Sequence, residues 1–376
     1  MTLESVDPII LTEIVPSLKP GLGIGKITLN APKTLNSLNL EMILLLRETL
    51  NAWERDPRVA LVVIQGAGEK AFCAGGDVKR IHNFIDQARA KDQSPIELCQ
   101  VFFENEYRLD YEVRTYKKPV VIWGDGIVMG GGLGIMNGAS HRIVTETTIM
   151  AMPEVTIGLY PDVGASKFLT DMPGRLGLFL GLTASRIYAG DALFLGMADY
   201  FVPRASKETL WSALRGLALD KNSPHESVSA CLKALAGKAP SSVFKSRQEE
   251  IDRLMAGDNI HSIVKRFETL IPSPDDKMLI AARASMLKGS PTSLAITFEQ
   301  IRRSKGITWT GAYKQELVLS LQCCLHGDFE EGVRALLIDK DNAPRWNPSS
   351  LSLVTEEDVE SHFQSPWSEA SPLSDL

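Results

Sequence analysis

Two acidic residues and two glycine clusters are the features of this 376-residue chain whose types and spacing could do chemistry. Glu154 and Asp162 stand eight positions apart in the otherwise apolar segment MAMPEVTIGLYPDVG. Because burying an unpaired carboxylate is costly, we expect both side chains to face a cavity or a partner. Each could act as a nucleophile or general base, or as a general acid if its pKa is raised. The alternative is that they cap backbone N–H groups of a loop, and the spacing alone does not separate the two.

The glycine clusters are Ala74-Gly75-Gly76-Asp77 and Gly130-Gly131-Gly132. Glycine lets the backbone approach a ligand closely and expose its N–H groups. A helix that begins at the second cluster would direct the positive end of its dipole at developing negative charge. Two N–H groups that converge on one point form an oxyanion hole. The alternative is a tight strand-to-helix turn, and a dinucleotide site is only weakly indicated because the second cluster lacks the G-x-G-x-x-G spacing.

The hydrophobic pattern predicts the elements that position these groups. Continuous apolar runs predict buried strands over Val59–Ile64 and residues 119–123, each leading toward one glycine cluster. Further strands are predicted over residues 24–30 and 141–146, and the second glycine cluster is predicted to open a helix. Asn39 can cap a helix that runs to about Asp56.

The second half of the chain has a different character. Residues 82–118 are predicted to be mostly helical, and beyond about residue 205 candidate helices dominate, separated by the breaks KNSPHES, GKAPSS and IPSPDD. A boundary near residues 205–225 therefore divides the chain into two predicted domains, residues 1–215 with the site and residues 216–376 as a mainly helical region that completes the fold.

Composition excludes several classes of protein. The apolar fraction of 44% supports a sizeable core, and 40 basic against 46 acidic residues argue against nucleic acid as a partner. Five cysteines without a C-x-x-C pair favour reduced, buried thiols. No apolar run reaches about 18 residues, so no membrane span is expected. The segment MTLESVDPII resembles neither a secretory signal nor a transit peptide, and the final SDL is not the peroxisomal SKL, which predicts a cytoplasmic location.

Several segments, in chain order, resemble the crotonase superfamily: PKTLNSL, KAFCAGGDVK, MGGGLG, MPEVTIGLYPDVGASKFL and then SRIYAGDALFLGMADYFVP. The later segment HGDFEEGVRALLIDKDNAPRWNPSSLSLVTEEDVESHF is similar to the C-terminal signature of the 3-hydroxyisobutyryl-CoA hydrolase branch. The resemblance implies an α/β fold, a crotonase spiral of repeated ββα units with a helical C-terminal region. It also implies an acyl-CoA thioester hydrolase of the kind used in valine catabolism.

The resemblance assigns expected roles to single residues. Gly76 and Gly131 match the two oxyanion-hole positions, whose backbone N–H groups bind the thioester oxygen. Gly134 occupies the place where an enoyl-CoA hydratase carries its first catalytic glutamate, and Glu154 keeps the second. Asp162 stands where the hydratase has glycine, and the pair of Glu154 and Asp162 is the arrangement of the hydrolase branch.

Binding residues follow from the same resemblance. Glu106, in FFENEYRLD, matches the branch's substrate-binding acid, alongside Gly131, Glu154 and Asp162. The positions that match CoA-binding residues are Lys33, Lys70, Ala74, Val78 and Lys79. The lysines would contact the CoA phosphates, with a solvated surface as the alternative. His141 and His326 match nothing catalytic and are interpreted as structural.

The mechanism that the resemblance implies is hydrolytic. Glu154 either attacks the thioester carbonyl, giving a mixed anhydride and free CoA, or activates a water, and Asp162 assists. No metal or redox cofactor is needed, and CoA arrives as part of the substrate. Two alternatives remain: an enoyl-CoA hydratase or isomerase, against which Gly134 argues, and a non-catalytic ribosome-associated relative, against which the net charge of -6 argues. A homo-oligomer is possible.

Overall fold

The structure, a computed structural model, describes residues 8–218 and 223–376. Residues 1–7, which contain most of the segment tested for targeting signals, and residues 219–222, part of the predicted boundary region, lie outside the described residues.

The strands of the described residues, numbered along the chain, are β1 (Ile10–Pro16), β2 (Gly23–Leu29), β3 (Val59–Gly66), β4 (Ala71–Cys73), β5 (Val120–Gly124), β6 (Ile127–Met129), β7 (His141–Val144), β8 (Ile149–Ala151), β9 (Ile187–Tyr188) and β10 (Tyr200–Phe201). The α-helices are α1 (Leu40–Arg55), α2 (Val78–Arg89), α3 (Ile96–Arg114), α4 (Gly131–Gly138), α5 (Ala165–Phe168), α6 (Leu176–Thr183), α7 (Ala189–Phe194), α8 (Lys207–Gly216), α9 (Pro224–Leu235), α10 (Val243–Leu254), α11 (Ile260–Thr269), α12 (Lys277–Lys288), α13 (Pro291–Arg303), α14 (Trp309–Leu325), α15 (Asp328–Val333) and α16 (Glu356–His362).

The chain forms two compact units, each built from segments far apart in the sequence. The sheet unit comprises the described parts of residues 1–76, 109–150 and 188–242, and the helical unit comprises residues 77–108, 151–187 and 243–376. This grouping differs from the linear division at residue 215, because a change of composition along the chain does not reveal which distant segments pack together. The boundary between folding domains stays a prediction.

A six-stranded sheet in the order β1-β2-β3-β5-β7-β10 forms the centre of the sheet unit. β1 is antiparallel to β2, and every other neighbouring pair is parallel. Parallel strands are buried on both faces, which explains their continuous apolar runs. Helices α8 and α9 add Leu210, Leu214, Val228 and Leu232 to the core around these strands.

Helix α1 confirms its predicted start. The side chain of Asn39 accepts a hydrogen bond of 2.8 Å from the backbone N–H of Met42, and so satisfies one of the donors left free at a helix N-terminus. The helix ends at Arg55, one residue before the predicted end. Strand β1 was not predicted, because most of its side chains are exposed and its sequence carries no buried run.

The helical unit confirms that helices dominate the later part of the chain. Its core is rich in fully buried aromatic rings, including those of Phe102, Phe179, Phe244 and Phe267. Among the described helices, none is both long and apolar enough to cross a membrane. All five cysteines are free thiols, and four of them are buried.

The cap of α1 gives a first testable prediction. Asn39→Ala should lower the free energy of unfolding by about 1 kcal/mol, because the N–H of Met42 loses its partner. Urea denaturation followed by circular dichroism measures the change. Asn51→Ala is the control: Asn51 is exposed within the same helix, and alanine there should be neutral or slightly stabilising. Equal losses in the two variants would contradict the capping role.

Candidate functional site

The two glycine clusters lie against each other in the sheet unit. β4 and β6, which lead into them, are parallel neighbours in a second sheet, so both turns leave the same edge of that sheet. Gly75 has a φ of +115°, and a Cβ built on it would lie 3.5 Å from the carbonyl oxygen of Met129 and 3.9 Å from the nitrogen of Gly131. Gly76, the next residue, forms an isolated parallel bridge with Leu38. The two predicted oxyanion-hole residues are therefore on adjacent turns.

Helix α4 begins at Gly131, as predicted, and its residues are buried along its whole length. Gly130 precedes it with φ 46° and ψ −125°, and no side chain caps the helix. The first N–H groups of an α-helix have no partner within the helix, and the dipole places partial positive charge there. The N–H of Gly131 is thus a pre-oriented donor for an oxygen that carries negative charge.

Two glycines of α4 leave room for neighbouring groups. A Cβ at Gly132 would lie 2.4 Å from the carbonyl oxygen of Cys73, so only glycine lets this helix approach β4 so closely. A Cβ at Gly134 would lie 2.4 Å from Oδ2 of Asp110, whose side chain is completely buried. The space in which a side chain at position 134 would begin is therefore filled by the carboxylate of Asp110.

Hydrogen bonds of the Asn36 side chain join the two loops that carry Lys33 and Lys70. Its buried amide donates hydrogen bonds of 2.9 Å to the carbonyl oxygens of Ala67 and Ala71. Its side-chain oxygen accepts a further bond from the same loop that contains Lys33. Both lysines are exposed, so their positions suit either contact with a phosphate or a solvated surface. Sequence reasoning missed Asn36, although the polar loop PKTLNSLN contains it.

Three buried carboxylates, those of Glu106, Glu154 and Asp162, lie together in the helical unit. Their residues are 2%, 4% and 5% exposed, respectively. Glu106 lies on α3, Glu154 begins a 3-10 turn, and Asp162 follows Pro161 in the next loop. Among the described residues, neither Oε1 of Glu106 nor Oε2 of Glu154 has a hydrogen-bond partner. Buried polar atoms without a partner are uncommon and point to a ligand.

The electrostatics of this carboxylate cluster are dominated by burial. Burial raises the pKa of Asp162 to about 6, although the hydrogen bond from Tyr107 opposes the shift. The pKa of Glu154 is raised well above its usual value, first by burial and then by the charge of Asp162. The pKa of Glu106 is raised by the same two causes. Titratable groups shifted in this way are typical of catalytic sites.

Two buried tyrosines and a serine form a hydrogen-bonded group that contacts Asp162. The hydroxyl of Tyr107 donates to Oδ2 of Asp162 at 2.8 Å and lies 2.7 Å from Oγ of Ser320. The hydroxyl of Tyr160 lies 2.8 Å from the same Oγ and donates to the carbonyl oxygen of Glu316 at 2.6 Å. Sequence reasoning missed Tyr107, although it directly follows Glu106.

Glu316 fixes the loop after Asp162. Its carboxylate accepts hydrogen bonds from the backbone N–H groups of Gly164 at 2.6 Å and Ser166 at 2.8 Å. Burial raises its pKa to about 8. Glu316 is therefore an acid that caps this loop, a role that the sequence analysis considered only for Glu154 and Asp162. A charged residue within the apolar helix α14 was the available signal.

The residues that were predicted to bind CoA are divided between the two units. Ala74 belongs to the sheet unit, with Lys33 and Lys70, whereas Val78 and Lys79 begin α2 in the helical unit. The side chain of Lys79 is exposed, and Val78 is half-buried. His141 is hydrogen-bonded to its neighbours and His326 stacks on another imidazole, which agrees with structural roles for both.

Comparison with known proteins gives consistent matches. A sequence model of the family described as enoyl-CoA hydratase/isomerase matches residues 24–363. The mitochondrial 3-hydroxyisobutyryl-CoA hydrolase of Danio rerio is 40% identical over 350 residues, which cover 91% of this chain and 87% of that protein. The same enzyme of Homo sapiens is 37% identical over 347 residues, covering 91% of this chain and 86% of that protein.

Solved structures agree in fold. An enoyl-CoA hydratase from Rhodobacter sphaeroides 2.4.1 superposes with a TM-score of 0.83 at 35% identity, covering 96% of this chain and 98% of that one. A carnitinyl-CoA dehydratase from Mycobacterium thermoresistibile gives 0.80 at 35% identity, covering 95% and 96%. The predicted fold class, a crotonase spiral with a helical C-terminal region, is confirmed.

The predicted cytoplasmic location is contradicted. The hydrolases that match over most of this chain are named as mitochondrial proteins. The prediction depended on the lack of a recognisable signal in the first residues, and such a lack does not specify a compartment.

The space beside Gly134 gives a second prediction. Gly134→Ala should lower the free energy of unfolding by about 1–3 kcal/mol, because the new Cβ overlaps the Asp110 carboxylate. In an Asp110→Ala background the same change should be nearly neutral. Gly138→Ala is the matched control, since its Cβ would meet the backbone oxygen of Asp110 at 2.9 Å and its cost should be the same in both backgrounds. A double-mutant cycle by urea denaturation that finds no coupling would contradict this packing.

The pKa of Glu154 gives a third prediction. Because its pKa is raised on folding, the folded protein keeps a proton that the unfolded chain releases above the ordinary value of 4.5, so this residue lowers stability as pH rises. Glu154→Gln removes that dependence. The melting temperature of the variant minus that of the wild type should therefore increase as the pH rises above 4.5. Glu48→Gln, on the surface of α1, is the control, and a difference that falls with pH would reverse the assignment.

Proposed function

The chain belongs to the enoyl-CoA hydratase/isomerase family, and from that premise we propose that it hydrolyses the thioester of 3-hydroxyisobutyryl-CoA, or of a similar short β-hydroxyacyl-CoA, to the free acid and CoA. The observation that carries the proposal is the carboxylate cluster of Glu106, Glu154 and Asp162, together with glycine at position 134. Relatives that match over 91% of the chain are hydrolases of this substrate.

In the proposed reaction, the N–H groups of Gly76 and Gly131 bind the thioester oxygen. Attack on the carbonyl carbon moves negative charge onto that oxygen, and donors already fixed by the two turns stabilise it without reorganising. Losing one such donor typically costs about 10²–10³ in kcat. The adjacency of the two turns supports this role, because a single oxygen must be reached by both donors.

Glu154 supplies the reactive carboxylate. In one route its oxygen attacks the carbonyl carbon, the C–S bond breaks, CoA leaves as the thiol after taking up a proton, and water hydrolyses the resulting anhydride. In the other route Glu154 takes a proton from a water that attacks the carbonyl carbon, the C–S bond breaks, and CoA leaves as the thiol with that proton, which gives the free acid directly. Its raised pKa supports both routes, because a carboxylate that binds protons tightly is a stronger base and nucleophile once ionised.

Asp162 and Glu106 are proposed to hold the substrate and to manage protons. With a pKa of about 6, Asp162 is mostly ionised at neutral pH and can accept a hydrogen bond from the substrate's hydroxyl group. The Oε1 of Glu106, which has no partner among the described residues, is a second candidate for that hydroxyl. A site that hydrogen-bonds a hydroxyl discriminates strongly against analogues that lack it.

The CoA portion of the substrate is proposed to bind at Lys33, Lys70, Ala74, Val78 and Lys79. The exposed ammonium groups of the three lysines are free to pair with phosphates, while the backbone around Ala74 and Val78 flanks the oxyanion-hole residue Gly76 in sequence. Ionic contacts of this kind weaken with salt, so KM should depend on ionic strength more than kcat does.

Hydration of an enoyl-CoA is the second candidate, favoured by the names of the two solved structures at 35% identity. Hydration in this family uses two facing glutamates, and glycine at position 134 removes one of them. The buried Asp110 carboxylate beside Gly134 also leaves no room for its replacement.

The test is thiol release from a panel of acyl-CoAs, with hydration of crotonyl-CoA measured in parallel. The wild type should hydrolyse 3-hydroxyisobutyryl-CoA best, and Glu154→Gln should lower kcat about 10²–10⁴-fold while still binding the substrate. Glu48→Gln is the control and should keep full activity. Fast hydration of crotonyl-CoA with little thiol release would favour the hydratase instead, and a kcat for Glu154→Gln within a few-fold of wild type would exclude its proposed role.

Tyr107 gives a further prediction, on pH dependence. Its hydrogen bond stabilises ionised Asp162, so Tyr107→Phe should raise the pKa of Asp162 above about 6. The proposed reaction needs both Glu154 and Asp162 in the ionised form, so a further rise in the pKa of Asp162 should move the acid limb of the profile of kcat/KM against pH to higher pH, with little change on the alkaline side. Tyr160→Phe removes a hydroxyl that does not contact Asp162 directly and is the matched control. An acid limb at the same pH in both variants would show that Asp162 does not set it.

A further inference from the structure

A second group of possible ligands lies in the helical unit and shares no residue with the carboxylate cluster. His82, Asp86 and Glu330 each offer one ligand atom, and these three atoms lie within 4.8 Å of one another. We propose that they bind a divalent transition-metal ion such as Zn²⁺, through one imidazole nitrogen and two carboxylate oxygens. Water would complete the coordination, as is common for ions held by three protein ligands.

The sequence positions explain how these side chains meet. His82 and Asp86 are four residues apart on α2, so they lie on the same face, one turn apart. Glu330 comes from α15, which packs against α2. His82 is 7% exposed, whereas the side chain of Asp86 is 54% exposed, so the group is anchored in the interior and open to solvent on one side. An ion can therefore reach it without unfolding the helices.

The buried imidazole supplies an independent indication of a ligand. Nδ1 of His82 lies 3.1 Å from Oδ2 of Asp86, close enough for an ion pair. The ring geometry nevertheless gives this nitrogen no acceptable hydrogen bond, and no other described residue provides one. A buried polar atom without a partner is costly, and a metal ion that accepts the nitrogen lone pair removes that cost. The proton would then reside on the other ring nitrogen, as in most metal-bound histidines.

The charges of the group also favour a cation. Two of the three ligand atoms belong to the carboxyl groups of Asp86 and Glu330, so two acids lie side by side. Arg89 contributes one positive charge, with Nη1 2.6 Å from Oε2 of Glu330. Arg89 is thus expected to orient Glu330 in the way that outer residues orient metal ligands elsewhere. One nitrogen and two oxygens suit Zn²⁺ and its neighbours better than Ca²⁺, which prefers six or more oxygens.

The experiment uses the full chain with any affinity tag removed, after treatment with a chelator and dialysis into a reducing buffer. Isothermal titration with a zinc salt should show one site, and saturating zinc should raise the melting temperature. His82→Gln and Asp86→Asn should each weaken binding at least about tenfold and reduce the thermal shift measured at one fixed zinc concentration. Asp86 is half-exposed, so its variant tests the site even if the buried His82 variant fails to fold.

Two control variants distinguish this site from zinc binding at a surface imidazole or at a thiol. His261→Gln changes an exposed histidine of α11 and should leave the zinc affinity unchanged. Cys231→Ser removes the half-buried thiol and should also have no effect. No binding to the wild type, equal binding in all variants, or binding lost only in Cys231→Ser would overturn the proposal. Because the readouts are affinity and melting temperature, the result is independent of the proposed hydrolase activity.

Discussion

Burial of three acidic side chains in one place is the physical constraint on which the candidate site depends. The pKa values of Glu106 and Glu154 are raised by burial first and by the charge of Asp162 next, so folding must overcome both desolvation and like-charge repulsion. Hydrogen bonds from surrounding groups offset these costs to different extents for the three acids. Asp162 accepts a hydrogen bond from the hydroxyl of Tyr107, whereas Glu106 and Glu154 each have an oxygen without a partner among the described residues. These two oxygens are available to a ligand, as expected of a functional site.

Glu316 shows that burial of an acid is not by itself a sign of catalysis. Its pKa is also raised, to about 8, yet both of its oxygens accept backbone N–H groups from the loop after Asp162. The difference between Glu316 and Glu154 is therefore in hydrogen bonding and not in burial. One acid holds the loop in place, whereas Oε2 of the other has no hydrogen-bond partner among the described residues.

The limits of the sequence prediction follow from the range of the interactions involved. The cap at Asn39, the buried run of β3 and the helix that opens at Gly131 were predictable, because each depends on neighbours within a few residues. Glu316 was not, because its partner Ser166 is 150 positions away. Nor was Asn36, whose buried amide reaches a loop more than thirty residues later. The roles of Glu154 and Asp162 came from resemblance to a family, since their spacing alone left loop capping open.

The residue at position 134 is one difference that can separate relatives that share this fold but are named for different reactions. The hydratase and the dehydratase share 35% identity and the whole fold with this chain, so the fold cannot choose between their reactions and thioester hydrolysis. The choice must depend on which acids reach the substrate. A glutamate on α4 would need the space that the Asp110 carboxylate occupies, and α4 therefore contributes only backbone donors. In the proposed hydrolysis the acid that accompanies Glu154 comes instead from the neighbouring loop, as Asp162, which accepts a hydrogen bond from Tyr107.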